Sequence, residues 1–184
     1  MQQEVIIAGF GGQGVLFAGQ LLSYTALDEG KEVTWIPSYG PEMRGGTANC
    51  TVVISDEEIG SPFVNNPTAV IAMNLPSLEK FEDQVEEGGI IIVNASMVNR
   101  GVARDDIKVV SIPANEIAQE IGSERAVNMV MLGALLGNLD LLSLDAVDAA
   151  LENHLPERHK KFLPVNKEAL RRGAEFKAEK MAHA

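Results

Sequence analysis

Apolar positions follow two periods along the chain. A short β-branched run from Glu4 to Ala8 ends in Gly9-Phe10-Gly11-Gly12-Gln13-Gly14. Behind it Leu16, Phe17, Ala18, Leu21 and Leu22 recur at helical spacing, so the stretch reads as strand, tight turn and helix start. The helix is expected to reach Glu29, with Gly30 as the residue that ends it. Lys31 to Ile36 alternates as a second strand. Strand, helix and strand in so short a span predict a right-handed crossover between two parallel strands.

Pro37, Gly40, Pro41, Gly45 and Gly46 make 37–46 a long, shaped loop. Thr47 to Ser55 reads as a strand, Asp56-Glu57-Glu58 as its turn, and Ile59 to Val64 as a strand pairing back antiparallel. Thr68 to Met73 is a further strand, and Leu75 to Val85 a helix with Asn74 or Ser77 as N-cap. Ile90 to Val93 is wholly β-branched, the mark of a central strand buried on both faces. Ile107 to Ile112 is a strand, and Pro113 opens a helix as its first residue. Asn128 to Leu139 reads as a mostly apolar helix, and its Gly133-x-x-x-Gly137 spacing as a packing device. Ser143 caps a helix through Leu151, with Asp145 and Asp148 near its positive end. The pattern predicts an α/β fold: a three-layer Rossmann-like sandwich, mainly parallel sheet with helices on both faces. It is expected to be a single domain over 1–184 with a basic helical tail about 157–184.

The net charge of −11 argues against a nucleic-acid partner. The charge is uneven. Residues 157–184 hold eight of the fifteen Lys/Arg against four acids, a balance of +4, which leaves −15 on residues 1–156. The tail reads either as a solvated or frayed helix, or as an arm docking on an acidic surface of its own chain or a partner. Met129 to Leu142, the longest apolar segment, is broken by Asn138 and Asp140 and too short to cross a bilayer. With no basic start before the first apolar run, a cytoplasmic, membrane-free protein is expected. The single cysteine, Cys50, sits mid-strand and is expected to be buried and inert. One thiolate cannot hold an iron–sulfur cluster. His154 and His159 are expected to be solvated helix residues, and no metal site is read.

The candidate chemistry lies in two loops. Gly9, Gly11 and Gly14 match G-x-G-x-x-G, where missing Cβ atoms let backbone N–H groups and a helix N-terminus approach a phosphate. NAD would need an acid at the tip of the second strand. Ile36-Pro37-Ser38-Tyr39 offers none, and no arginine for a 2′-phosphate appears before Arg44. There is no G-x-S-x-G, no Walker A and no histidine near these loops. The glycine turn and loop 38–47 are expected to leave the same sheet edge, gathering Gln13, Ser38, Tyr39, Arg44 and Thr47. The plainer alternative is a turn shaped for packing beside an ordinary surface loop.

Gly9-Phe10-Gly11-Gly12-Gln13-Gly14-Val15, then Ser38-Tyr39-Gly40-Pro41-Glu42-Met43-Arg44-Gly45-Gly46-Thr47-Ala48, then Ile59-Gly60-Ser61-Pro62, resemble the gamma subunit of the 2-oxoacid:ferredoxin oxidoreductases. The likeness extends to the Asn128-Met129 helix start and the Gly133 segment. It implies a complex with alpha, beta and ferredoxin-like delta subunits. Thiamine diphosphate and iron–sulfur clusters would sit on those partners and none on this chain. Electrons would pass to ferredoxin, and coenzyme A would take the acyl group. By position, Gly11, Gly12, Gln13 and Gly14 would approach a diphosphate. Ser38 to Thr47 would form a lip facing the catalytic subunits, with Arg44 as an anionic contact and Asn128 as a further candidate. Two other readings remain beside it: a purely structural interface subunit, and a free-standing NAD(P)-binding oxidoreductase.

Overall fold

The computed structural model describes residues 1–38 and 47–178. Six strands form one sheet: β1 (Gln2–Phe10), β2 (Glu32–Ser38), β3 (Thr47–Ser55), β4 (Ala69–Ala72), β5 (Ile90–Asn94) and β6 (Lys108–Ile112). Their order is β2-β3-β1-β4-β5-β6. β1, β4, β5 and β6 run parallel, while β3 lies antiparallel between β1 and β2. The expected crossover therefore joins two strands of common direction that are not neighbours. β3 occupies the place beside β1 that the sequence pattern assigns to β2.

The described residues form six α-helices: α1 (Val15–Asp28), α2 (Leu75–Phe81), α3 (Ala114–Glu120), α4 (Val127–Asn138), α5 (Leu144–His154) and α6 (Leu163–Ala174). α1, α2 and α4 pack on the sheet, and α3, α5 and α6 pack chiefly on other helices. Consecutive strand residues feed opposite cores. Ile7, Ile71 and Ile92 pack with α1 and α4, and their neighbours Ile6, Val70 and Ile91 pack with Leu78 and Phe81 of α2. Burial on both faces explains why these strands read as unbroken apolar runs. Each such buried side chain contributes about 1.5–3 kcal/mol. The two faces are unequal: α1, α3, α4, α5 and α6 share the first core, and α2 alone supplies helix to the second.

The termini of the helices follow their cap residues. α1 ends in a Schellman turn: Gly30 has φ 76°, its N–H donates to Leu27 O, and Lys31 N–H donates to Ala26 O. Asn74 Oδ1 accepts from Ser77 N at 3.0 Å and caps α2, which gives way to a 3₁₀ turn at Glu82. Ser143 Oγ accepts from Ala146 N at 3.1 Å and caps α5. Pro113 is the cap of α3 rather than its first residue.

One further expectation is corrected. Ile59 to Val64 forms no strand. Both edges of β3 are already taken by β1 and β2, so a returning strand would have no partner. The basic segment begins as a 3₁₀ helix (Glu157–Phe162) before α6. The cations of α6 turn to the chain's own acids: Arg171 to Asp148 at 2.8 Å, Lys167 to Glu152 at 2.5 Å, and Arg172 to Glu120 at 2.6 Å.

α6 lies against α4 with almost no space between backbones. A Cβ on Gly133 would sit 2.8 Å from the Leu170 carbonyl carbon, and one on Gly173 would sit 2.9 Å from that of Val130. The glycine spacing of α4 is thus used inside the chain. Among the described residues no helix is long and apolar enough to cross a membrane, and no group of side chains could hold a metal ion.

Candidate functional site

The site is built at the end of β1. Phe10 pairs with Thr47 and Ser38 with Asn49, so the glycine turn, the end of β2 and the start of β3 share one edge of the sheet. That is the edge where open α/β sheets bind ligands. Gly12 has φ 94° and Gly14 φ 74°, values that favour glycine. A Cβ on Gly12 would meet nothing within 4 Å. Gly14 caps α1 with no side-chain acceptor, and the first helical bond runs from Ala18 N to Gly14 O at 3.0 Å. The N–H groups of Val15, Leu16 and Phe17 therefore find no helical carbonyl and mark the positive end of the helix. They border a cavity of about 280 Å³ lined by Phe10, Gly11, Gly12, Phe17 and Ala48 among others. This arrangement can take an anion on backbone donors.

Two amides hold the turn in shape. Gln13 Oε1 accepts from Phe10 N at 2.6 Å and from Asn74 Nδ2 at 3.2 Å. The Gln13 oxygen is therefore committed to the fold rather than aimed at a ligand. On the other flank Asn128 Nδ2 donates to Gly14 O at 3.1 Å, reaching across from the start of α4. Asn128 is buried. Of the residues singled out in the sequence, Gly11, Gly12, Gln13, Gly14, Thr47 and Asn128 meet at the turn, and Ser38 lies two strands away on the same edge. Tyr39 and Arg44 lie outside the described residues.

Asn74 was marked in the sequence only as a helix cap. It also braces Gln13, and buried Asn94 continues the row by donating to Met73 O at 3.3 Å and Asn115 Oδ1 at 2.9 Å. Each asparagine follows an apolar strand, a signal visible in the sequence, but their alignment depends on the strand order. Cys50 is fully buried under α1, and burial pushes its thiol up to about 12, as expected of an inert side chain. His154 is an exposed helix residue, as expected. Its ring stacks on Tyr24 at 4.4 Å and its Nε2 lies 2.9 Å from Asp28 Oδ2.

The strand order also bears on the nucleotide question. The tip of β2, where an NAD-type acid would stand, is displaced from β1 by the width of β3, about 4.8 Å further than in a parallel pair. Ser38 occupies that tip. The fold and turn thus define an α/β unit whose glycine turn opens beside an uncapped helix start, with Ser38 rather than an acid at the end of β2.

The chain belongs to the pyruvate ferredoxin/flavodoxin oxidoreductase family, whose sequence pattern matches residues 4–176. Its counterpart there is the gamma subunit. It is 42% identical over 178 residues to ketoisovalerate oxidoreductase subunit VorA of Methanothermobacter thermautotrophicus, covering 96% of this chain and 36% of that protein. The chain thus spans little more than a third of that relative's length. It is 40% identical over 163 residues to 2-oxoglutarate synthase subunit KorC of Methanothermobacter marburgensis, covering 85% of this chain and 88% of KorC. Among solved structures it is similar to the gamma subunit of a keto/oxoacid ferredoxin oxidoreductase from Geobacter sulfurreducens. That match has TM-score 0.81 and 27% identity over 94% of this chain and 96% of the other. It shares its fold with part of the 2-oxoglutarate:ferredoxin oxidoreductase of Magnetococcus marinus, determined with 2-oxoglutarate, coenzyme A and succinyl-CoA bound. There the TM-score is 0.84 at 23% identity, over 95% of this chain and 30% of the other.

Proposed function

We propose that the chain is the gamma subunit of a cytoplasmic 2-oxoacid:ferredoxin oxidoreductase, helps to bind coenzyme A and covers the active site of the assembled enzyme. The whole enzyme would convert a 2-oxo acid, coenzyme A and oxidised ferredoxin to acyl-CoA, CO2 and reduced ferredoxin. Thiamine diphosphate and the clusters would reside on alpha, beta and delta partners, so this chain would be inactive alone. The observation that carries the ligand role is the open flank of Gly12 beside the uncapped start of α1. A diphosphate suits those donors, and coenzyme A needs no acid at β2 for a ribose 2′-OH of the NAD type. Gly11, Gly12, Gly14, Ser38 and Thr47 would line the approach, with Tyr39 and Arg44 assigned to the lip by resemblance.

One observation favours a purely structural role. Gln13 and Asn128 turn their amides into the fold, as a turn shaped only for packing would require. Calorimetry with coenzyme A on the purified complex separates the two. The Gly12→Val complex is expected to bind at least about tenfold more weakly, the loss of one or two backbone contacts to an anion. Equal affinity, with unchanged subunit composition, would leave the structural role.

A further inference from the structure

The basic segment divides into two parts. In α6, Lys167, Arg171 and Arg172 are answered by Glu152, Asp148 and Glu120. In the 3₁₀ helix before it, Lys160 pairs with Glu157, but Arg158 and Lys161 are exposed and make no ion pair among the described residues. Arg125, also exposed, makes none either. Arg125 and Lys161 stand at the rim of a groove between α1, α5 and the 3₁₀ helix. Two adjoining hollows of about 330 and 320 Å³ share Phe17, Leu155 and His159. Leu21 and Leu151 continue the apolar floor. Arg125 and Phe162 line one hollow, and Lys161 lies 5.1 Å over the Phe162 ring. Phe162 is 40% exposed and Tyr24 42%.

Nearby acids do not neutralise this rim. Asp28 faces His154 and Glu157 faces Lys160, which leaves Glu124 against the two cations. A local positive excess around an apolar floor, on a chain of net charge −11, is a specific feature. We infer that this groove docks an acidic segment of a partner subunit, which inserts an aromatic or aliphatic anchor over Phe17 and Leu155 while its carboxylates meet Arg125 and Lys161. Buried apolar contact would supply affinity, and the charged rim would set orientation and on-rate. Phe17 also lines the glycine-turn cavity, so a segment seated here would lie beside the candidate ligand site.

The inference rests on the chain working within a complex, and the test separates the two ideas. Phe162→p-benzoyl-phenylalanine is introduced into the full chain, the native complex is purified, and cross-linked peptides are identified by mass spectrometry. The expected product joins position 162 to a net-acidic peptide of a partner subunit. Arg125→Glu with Lys161→Glu, both at exposed unpaired sites, should leave melting unchanged but weaken subunit association at least about tenfold and flatten its salt dependence. A cross-link to a second copy or a non-acidic peptide, no cross-link in an intact complex, or unchanged association would overturn the docking inference alone. A native protein with no partner subunit would overturn the proposed function as well.

Discussion

The turn after β1 and the seam between α4 and α6 are both written in glycine, and they use it for opposite purposes. At Gly12 the missing Cβ faces open space beside free N–H groups. At Gly133, Gly137 and Gly173 it faces another helix's backbone. The turn glycines with φ above 70° need their freedom of conformation, whereas none of the seam glycines has positive φ. Those three need only their small size. A glycine pattern therefore does not announce a binding site. What decides is whether the absent side chain leaves room for a ligand or removes an obstacle to packing.

The largest test of this contrast is Gly133→Ala. The added methyl would fall against the Leu170 carbonyl, which belongs to helix backbone and cannot rotate away. The helices would have to part, opening contacts along the seam, at a cost of about 3 kcal/mol. Chemical denaturation measures it through the midpoint. A loss under about 1 kcal/mol would show that α6 slides freely on α4, and the distinction between the two regions would weaken.

Gly14→Ala probes the turn itself and should cost less, about 2 kcal/mol. Its φ of 74° is strained for alanine, and the methyl would lie 2.9 Å from the Asn128 side-chain carbon. Here the obstacle is a side chain able to move, so part of the clash can relax. A cost equal to that of Gly133→Ala would mean that the turn is as tightly enclosed as the seam.

Much of this arrangement was legible in the sequence, and the limits have physical causes. β3 from Thr47 to Ser55 coincides with the strand read from its pattern, and Gly30, Asn74 and Ser143 announced helix ends that depend on local hydrogen bonds. Strand order was not legible. β2 and β3 both read as strands, and neither run names its neighbour: which one lies beside β1 depends on pairing between distant segments. The returning strand expected at Ile59–Val64 failed for the same reason, since a strand needs a free edge and β3 had none left. In the site, the glycines were visible but the braces were not. Gln13 and Asn74 are separated by 61 positions, and Gly14 and Asn128 by 114. Only the packed sheet brings them together.

Asn128 joins the two regions, and its replacement has the smallest expected effect. It lies in the first turn of α4, which carries two of the three seam glycines, and its amide reaches Gly14 O at 3.1 Å. Asn128→Ala removes that bond while Gly14 O keeps its bond from Ala18 N, so no carbonyl is stranded. The cost should be about 1 kcal/mol. The more informative variant combines it with Gly14→Ala. Without the Asn128 side chain the new methyl has room, and the backbone strain alone remains. The double variant should therefore be destabilised by less than the sum of the singles, by about 0.5–1 kcal/mol. Additive costs would mean that the amide and the turn do not touch in solution, and that the turn keeps its shape without support from α4.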